Sequence, residues 1–126
     1  MRKIWFYLII GLLTISGPVL AESREEDFWL AVQKGEYSQA AEIAVELGAG
    51  QPEYFYLAGV CYQNCFRYED FHLFTEKYRK SGNSEKLELL LKEQAKNKVD
   101  DPGVQLFLGM VAVLNPDLGL GNPDPF

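Results

Sequence analysis

The sequence predicts an all-α protein, a short α-α superhelix of about three antiparallel helical hairpins that follows a cleaved signal peptide. Three observations lead to this fold class. Apolar residues recur three or four positions apart, Gly, Pro and Asn separate these stretches, and no long stretch alternates apolar with polar residues. The chain has 126 residues, of which 48% are apolar and 24% charged. This composition is typical of one globular domain and excludes wholesale disorder and a many-pass membrane protein.

Residues 1–21 are typical of a secretory signal peptide. Arg2 and Lys3 precede the apolar run from Ile4 to Ile15, and Pro18 then breaks any helix. The run is too short for a membrane-spanning helix, which needs about 20 apolar residues. We therefore expect cleavage after Ala21 and a periplasmic or secreted protein that does not stay inserted in a membrane.

Cleavage changes both the size and the charge of the protein. The remaining 105 residues (126 less 21) hold 10 basic and 18 acidic residues, so their net charge is −8. An acidic chain without a local basic stripe is not expected to bind nucleic acid. Its charge instead favours basic or peptide-like partners.

The first two helices are predicted from a cap and from a periodic apolar face. Ser23 and Glu26 form a capping-box pattern ahead of an apolar stretch. This pattern predicts a helix over residues 24–34 that ends at Gly35. Residues 36–47 carry apolar side chains three or four apart and are predicted to form the second helix.

The next two helices follow Pro52, which fits the first turn of a helix because its missing N–H is not needed there. The third helix is predicted over residues 52–63, where Gly59 would let a neighbouring helix approach closely. The fourth is predicted over residues 66–80, with several aromatic side chains on one side.

Two further helices and a tail complete the chain. Ser84 opens the fifth helix, and Asp101 caps the sixth, which is predicted over residues 102–114. The tail, residues 116–126, is rich in Gly and Pro and is predicted to be a loop. Residues 22–115 are thus expected to form the helical-repeat domain.

Two internal spacings indicate repeats. Residues 35–40 and 66–71 lie 31 positions apart, with a tyrosine third in each segment. Residues 52–59 and 102–109 lie 50 positions apart and match at their first proline and last glycine. Helix pairs at a fixed spacing are typical of stacked helical repeats.

The same segments resemble two related repeat families. The pattern G-E-Y-x-x-A at residues 35–40, with Pro52 twelve positions further on, resembles the second half of a tetratricopeptide repeat. The patterns A-G-x-x-Y at 58–62 and L-G at 108–109 resemble the opening of a Sel1-like repeat, and residues 119–124 resemble its glycine loop. The resemblance implies a helical scaffold that binds peptides or proteins and is not an enzyme.

The two cysteines leave alternatives open. Exported proteins favour disulfides, and Cys61 and Cys65 could pair across a turn if the third helix ends near Gln63. Alternatively, the two cysteines and His72 could form a copper(I) or zinc site or a redox-active pair of thiols. The sequence has no nucleophile elbow, phosphate loop or H-E-x-x-H motif, so no catalytic residue, metal or cofactor is predicted.

Partner-binding residues are predicted in two helices. Tyr56 lies opposite Tyr54 and Ala58 on the third helix, which would expose it. The sixth helix has almost no polar face, so it is either the centre of a compact bundle or an apolar surface for a partner or a second copy. Its candidate binding residues are Phe107, Met110, Val111 and Leu114.

These observations predict an exported protein that binds another protein or a peptide and carries out no reaction. An inhibitor or immunity-type protein that neutralises an envelope-active enzyme is one concrete form of this function. A possible homodimer would form through the last helix. The alternative is a small periplasmic thiol-redox or copper-handling protein that uses Cys61, Cys65 and His72.

Overall fold

The computed structural model describes residues 17–115, which contain six α-helices and no β-strand. The all-α prediction is therefore confirmed for this range. Residues 1–16, most of the predicted signal peptide, and 116–126, the predicted tail, lie outside the described residues. In chain order the helices are α1 (Gly17–Gln33), α2 (Tyr37–Gly48), α3 (Glu53–Asn64), α4 (Tyr68–Ser81), α5 (Ser84–Asn97) and α6 (Pro102–Leu114).

The first four helices pack in chain order, each against the next. The short turns that join them make neighbouring helices antiparallel. Helix α5 leaves this order and packs against α3 and α6, while α6 returns to contact α1 and α3. The last helix therefore lies against the first, and α3 is covered by four other helices. The predicted superhelix of hairpins stays a prediction.

Helix α1 begins earlier than predicted. It includes Gly17, so Ser23 and Glu26 lie inside the helix and not at its N-terminus. In the uncleaved chain the predicted capping box is therefore not formed, because a preceding helical turn already supplies carbonyl partners for the N–H groups that the box would satisfy.

The turn between α1 and α2 has the hydrogen bonds of a Schellman motif. Gly35 has a φ of +74°. Its N–H donates to the Val32 carbonyl at 3.0 Å, and the Glu36 N–H donates to the Ala31 carbonyl at 2.9 Å. Glycine suits this position because a positive φ brings the Cβ of other residues too close to the backbone.

The turn between α3 and α4 repeats these hydrogen bonds 31 residues later. The Phe66 N–H donates to the Gln63 carbonyl at 3.0 Å, and the Arg67 N–H donates to the Tyr62 carbonyl at 2.9 Å. Phe66 has a φ of +64°, so a phenylalanine occupies the position that glycine occupies in the first turn. The spacing is the one that relates residues 35–40 to residues 66–71.

The last two helices have side-chain caps. Asn83 accepts hydrogen bonds from the N–H groups of Glu85 and Lys86, immediately before α5. The Asp101 carboxylate accepts from the Val104 N–H at 3.1 Å, as predicted for the cap of α6. Glu53, a buried carboxylate at the start of α3, accepts from the Asn83 N–H at 3.1 Å and so ties α3 to the start of α5.

An aromatic cluster joins α1, α3 and α6 in the core. The ring of Phe28 meets those of Trp29, Tyr54 and Phe107 edge-on, at centroid distances of 4.9, 5.5 and 6.1 Å. All four side chains are buried. Edge-to-face contacts add to the energy of burying such rings, so this cluster holds the last helix against the first.

Helices α3 and α4 pack closely because a glycine lies between them. A Cβ on Gly59 would lie 2.7 Å from Thr75 Cγ2 and 3.2 Å from the Phe71 carbonyl oxygen. The prediction that Gly59 lets a neighbouring helix approach is therefore confirmed. Phe74 of α4 stacks on Tyr62 beside this contact, with the ring centroids 5.6 Å apart.

Candidate functional site

Tyr56, predicted as an exposed binding residue, is buried. Only 7% of it is exposed, and its ring meets that of Tyr78 edge-on at 5.2 Å. Burial raises the pKa of Tyr56 to about 12. The prediction is wrong because α3 is covered by four helices and has no free face.

Helix α6 has two different apolar faces. The inner face consists of Val104, Phe107, Leu108 and Val111, all buried, at the spacing expected for one side of a helix. Phe107 and Val111 are therefore core residues and present no exposed surface to a partner. Helix α6 is therefore buried on one side only, because its inner face belongs to the core and its outer face is exposed.

The outer face of α6 contains binding candidates that sequence reasoning missed. Leu106 is 62% exposed and Val113 is 80% exposed. The predicted residues Met110 and Leu114 are also accessible, one half-buried and the other exposed. The helical spacing of residues 106, 110 and 113 is the signal that could have separated this face from the inner one.

An apolar groove of about 690 Å³ lies between α6 and the turn that joins α3 to α4. Its lining contains no Asp, Glu, Lys, Arg or His. We call it the apolar groove, and its lining residues are Gln63, Asn64, Phe66, Tyr68, Gln105, Leu106, Gly109, Met110, Val113 and Leu114.

Phe66 borders the groove in an unfavourable backbone conformation. A left-handed φ costs residues with a Cβ roughly 1–2 kcal/mol. The side chain is also 78% exposed, so burial recovers little of that cost. Tyr68, two residues on, is a second exposed aromatic residue of the groove.

Gly109 borders the same groove from α6. A Cβ on Gly109 would meet no atom of residues 17–115 within 4 Å, so packing within this range does not require glycine there. Glycine in a helix interior is less stable than alanine by roughly 0.5–1 kcal/mol. Because Gly109 is part of the lining, any side chain at this position would narrow the groove.

One polar acceptor of the lining has no partner among residues 17–115. Gln63 Oε1 is buried and accepts no hydrogen bond there. The other two amides of the lining are used internally, since Asn64 donates to the Val60 carbonyl at 2.9 Å and Gln105 donates to the Lys98 carbonyl at 2.9 Å. Because this acceptor is enclosed, it offers no accessible hydrogen-bonding surface in the groove.

The predicted disulfide between Cys61 and Cys65 is absent, and both thiols are free. Cys61 is buried inside α3, whereas Cys65 is half-buried just after the helix ends. Because α3 stays helical through Asn64, the two residues keep a helical spacing that does not suit the bond. Burial raises the pKa of the Cys61 thiol, which disfavours the reactive thiolate.

The alternative metal site is not formed in the part of the chain that the structure describes. No group of three or more His, Cys, Asp and Glu residues there could hold a metal ion, so Cys61, Cys65 and His72 do not come together as ligands. His72 is exposed, and its ring lies 5.1 Å from that of Phe71.

Acidic residues are concentrated in the first hairpin. Between positions 22 and 50 the basic residues are Arg24 and Lys34, and the acidic residues are Glu22, Glu25, Glu26, Asp27, Glu36, Glu42 and Glu46. Arg24 pairs with Glu46 at 2.8 Å and with Asp27 at 3.2 Å. The rest of the described chain is close to neutral, so the excess of negative charge lies on α1 and α2.

No family model, curated protein or solved structure matches this chain. Within residues 17–115, none of the helices combines the length and the apolar character needed to cross a membrane.

Proposed function

We propose that this chain is an exported protein-binding module that holds an apolar segment of another protein in the apolar groove. Binding, and not catalysis, is its function. One observation carries the proposal: two residues that border the same groove lower the stability of the fold. Phe66 has a positive φ that glycine would adopt without strain, and Gly109 lies in a helix interior where alanine would be more stable.

Residues that lower the stability of a fold are expected at positions that serve its function. Glycine at position 66 would relieve the backbone, as Gly35 does in the equivalent turn. Phenylalanine instead places an exposed aromatic ring beside the groove, and rings that become buried on binding contribute much of the affinity of protein interfaces. Glycine at position 109 keeps the groove open.

The lining also defines the chemistry of the partner. Aliphatic or aromatic side chains would fill the groove, because its walls are largely apolar and carry no charge. The acidic first hairpin favours basic residues elsewhere on the partner.

The finer parts of the proposal depend on the sequence patterns. The resemblance to tetratricopeptide and Sel1-like repeats supports a scaffold or adaptor, of which an inhibitor or immunity-type protein is one form. Export depends on the signal-peptide pattern of residues 1–21. We expect the exported protein to start at Glu22, which intact-mass measurement would check.

The experiment compares capture by the protein with capture by two single variants. Val113→Glu places a charge in the groove, whereas Val99→Glu makes the same change at a position that is 66% exposed and outside the lining. We expect a protein captured from envelope extract by the parent and by Val99→Glu to be lost with Val113→Glu. Equal capture by both variants would contradict binding in the groove.

A further inference from the structure

We propose that a second copy of this chain occupies the apolar groove when the partner is absent, in a twofold-symmetric dimer across α6. The proposal rests on the proposed function, because it requires the groove to be a protein-binding site. It adds that self-association and partner binding compete for one surface.

The outer face of α6 has the spacing needed to pack on another helix. Leu106, Met110 and Val113 lie four and three residues apart and form one apolar stripe. Gly109 lies within this stripe, and the space around it is open. Two α6 helices could therefore cross closely at Gly109, because no side chain separates their backbones there.

The surface formed by the outer face of α6 and the apolar groove is also complementary to itself. In a twofold dimer the same surface of both copies is used, so projecting and concave parts must lie side by side. Phe66 and Val113 project from the surface, with 78% and 80% of their area exposed, and both border the groove of about 690 Å³. The projecting side chains of each copy can enter the groove of the other.

Charge favours this face over the others for self-association. The whole chain has a net charge of −6, so two copies repel each other through most of their surface. Residues 102–114 contain no charged residue, and neither does the rest of the groove lining. Contact through α6 therefore brings no like charges together, whereas contact through the acidic first hairpin would.

The area available is enough for a weak dimer. Phe66, Tyr68, Leu106, Val113 and Leu114 are the large apolar residues of the lining that are exposed. At roughly 170 Å² per side chain, complete burial of their exposed parts would remove at most on the order of 500 Å² per copy, or about 1,000 Å² in a dimer. This is near the lower limit of about 1,000 Å² for specific interfaces, so we expect a dissociation constant in the micromolar range.

Sedimentation velocity tests the dimer on protein purified after expression of the whole chain. We expect the sedimentation coefficient to rise from that of a monomer to that of a dimer between about 1 and about 500 µM. Val113→Glu should raise the dissociation constant at least about tenfold, while Val99→Glu should leave it unchanged. Circular dichroism melting of both variants checks that they fold.

A parent protein that stays monomeric up to about 500 µM would overturn the dimer, and so would equal dimerisation of the two variants. The capture experiment separates this failure from that of the proposed function. If the parent protein stays monomeric but Val113→Glu still abolishes capture of the partner, only the dimer is refuted. A dimer that is lost on Val113→Glu, with capture unchanged, refutes only partner binding in the groove.

Discussion

Replacement of Gly109 should move stability and binding in opposite directions. An alanine Cβ at this position would meet no atom of the described residues within 4 Å, so it introduces no steric cost among them. The gain is then the helix propensity difference, roughly 0.5–1 kcal/mol in favour of alanine. For a domain of this size the melting temperature should rise by about 2–8 °C.

Binding should weaken because the new side chain enters the groove. Gly109→Ala adds one methyl group, and Gly109→Leu adds an isobutyl group that fills much more of the open space. We expect Gly109→Leu to weaken dimerisation and partner capture at least about tenfold, with Gly109→Ala between it and the parent. Calorimetric melting and sedimentation velocity on the same samples measure both effects.

Two results would refute this reasoning. A lower melting temperature for Gly109→Ala would mean that packing requires glycine at this position, contrary to the space around it. Unchanged binding by Gly109→Leu would mean that neither partner nor second copy uses the groove. Gly103→Ala is the matched control. Its Cβ would clash with the Gln33 carbonyl oxygen, so this substitution should lower the melting temperature.

Three further predictions concern the core. Gly59→Ala should destabilise the protein by about 1–3 kcal/mol, because its Cβ would lie 2.7 Å from Thr75 Cγ2; urea denaturation measures the loss, and an unchanged midpoint would contradict close packing of α3 on α4. A thiol reagent should modify Cys65 in the native protein and Cys61 only on unfolding, because Cys61 is buried; equal rates followed by mass spectrometry would contradict the burial. Burial raises the pKa of Tyr56 from 10.0 to about 12, so its ionisation in the unfolded chain should lower stability as pH rises from about 10 to about 12; Tyr56→Phe should weaken this pH dependence, and an unaltered alkaline profile would contradict it.

Much of the helical structure could be predicted because its signals are local. The Asp101 cap and the glycine at position 35 are recognisable from a few neighbouring residues, and the structure has a cap and a turn there. Helix α1 shows the limit of such signals. The Ser23 and Glu26 pattern fits both a helix N-terminus and a helix interior. Only the residues before it, which are helical, show that it lies in the interior.

The candidate site was predicted less well because burial depends on distant parts of the chain. Tyr56 was expected to be exposed because it lies opposite Tyr54 and Ala58 on α3, but four helices cover α3. The expected Cys61 and Cys65 disulfide followed from the compartment and from a turn near Gln63, whereas α3 stays helical through Asn64. Phe66 aligned with Gly35 in the sequence, yet nothing in the alignment reveals that it adopts a positive φ.

The contact between Phe107 and the α1 rings of Phe28 and Trp29 joins positions almost 80 residues apart in the chain. Contacts between such distant positions form late, because a long loop must close before they stabilise anything. While the chain is being made, the parts of the Phe28 and Trp29 rings that Phe107 covers remain exposed until α6 has emerged. The native state therefore forms only when nearly the whole chain is present, and a chain cut short before α6 would expose its aromatic core to aggregation.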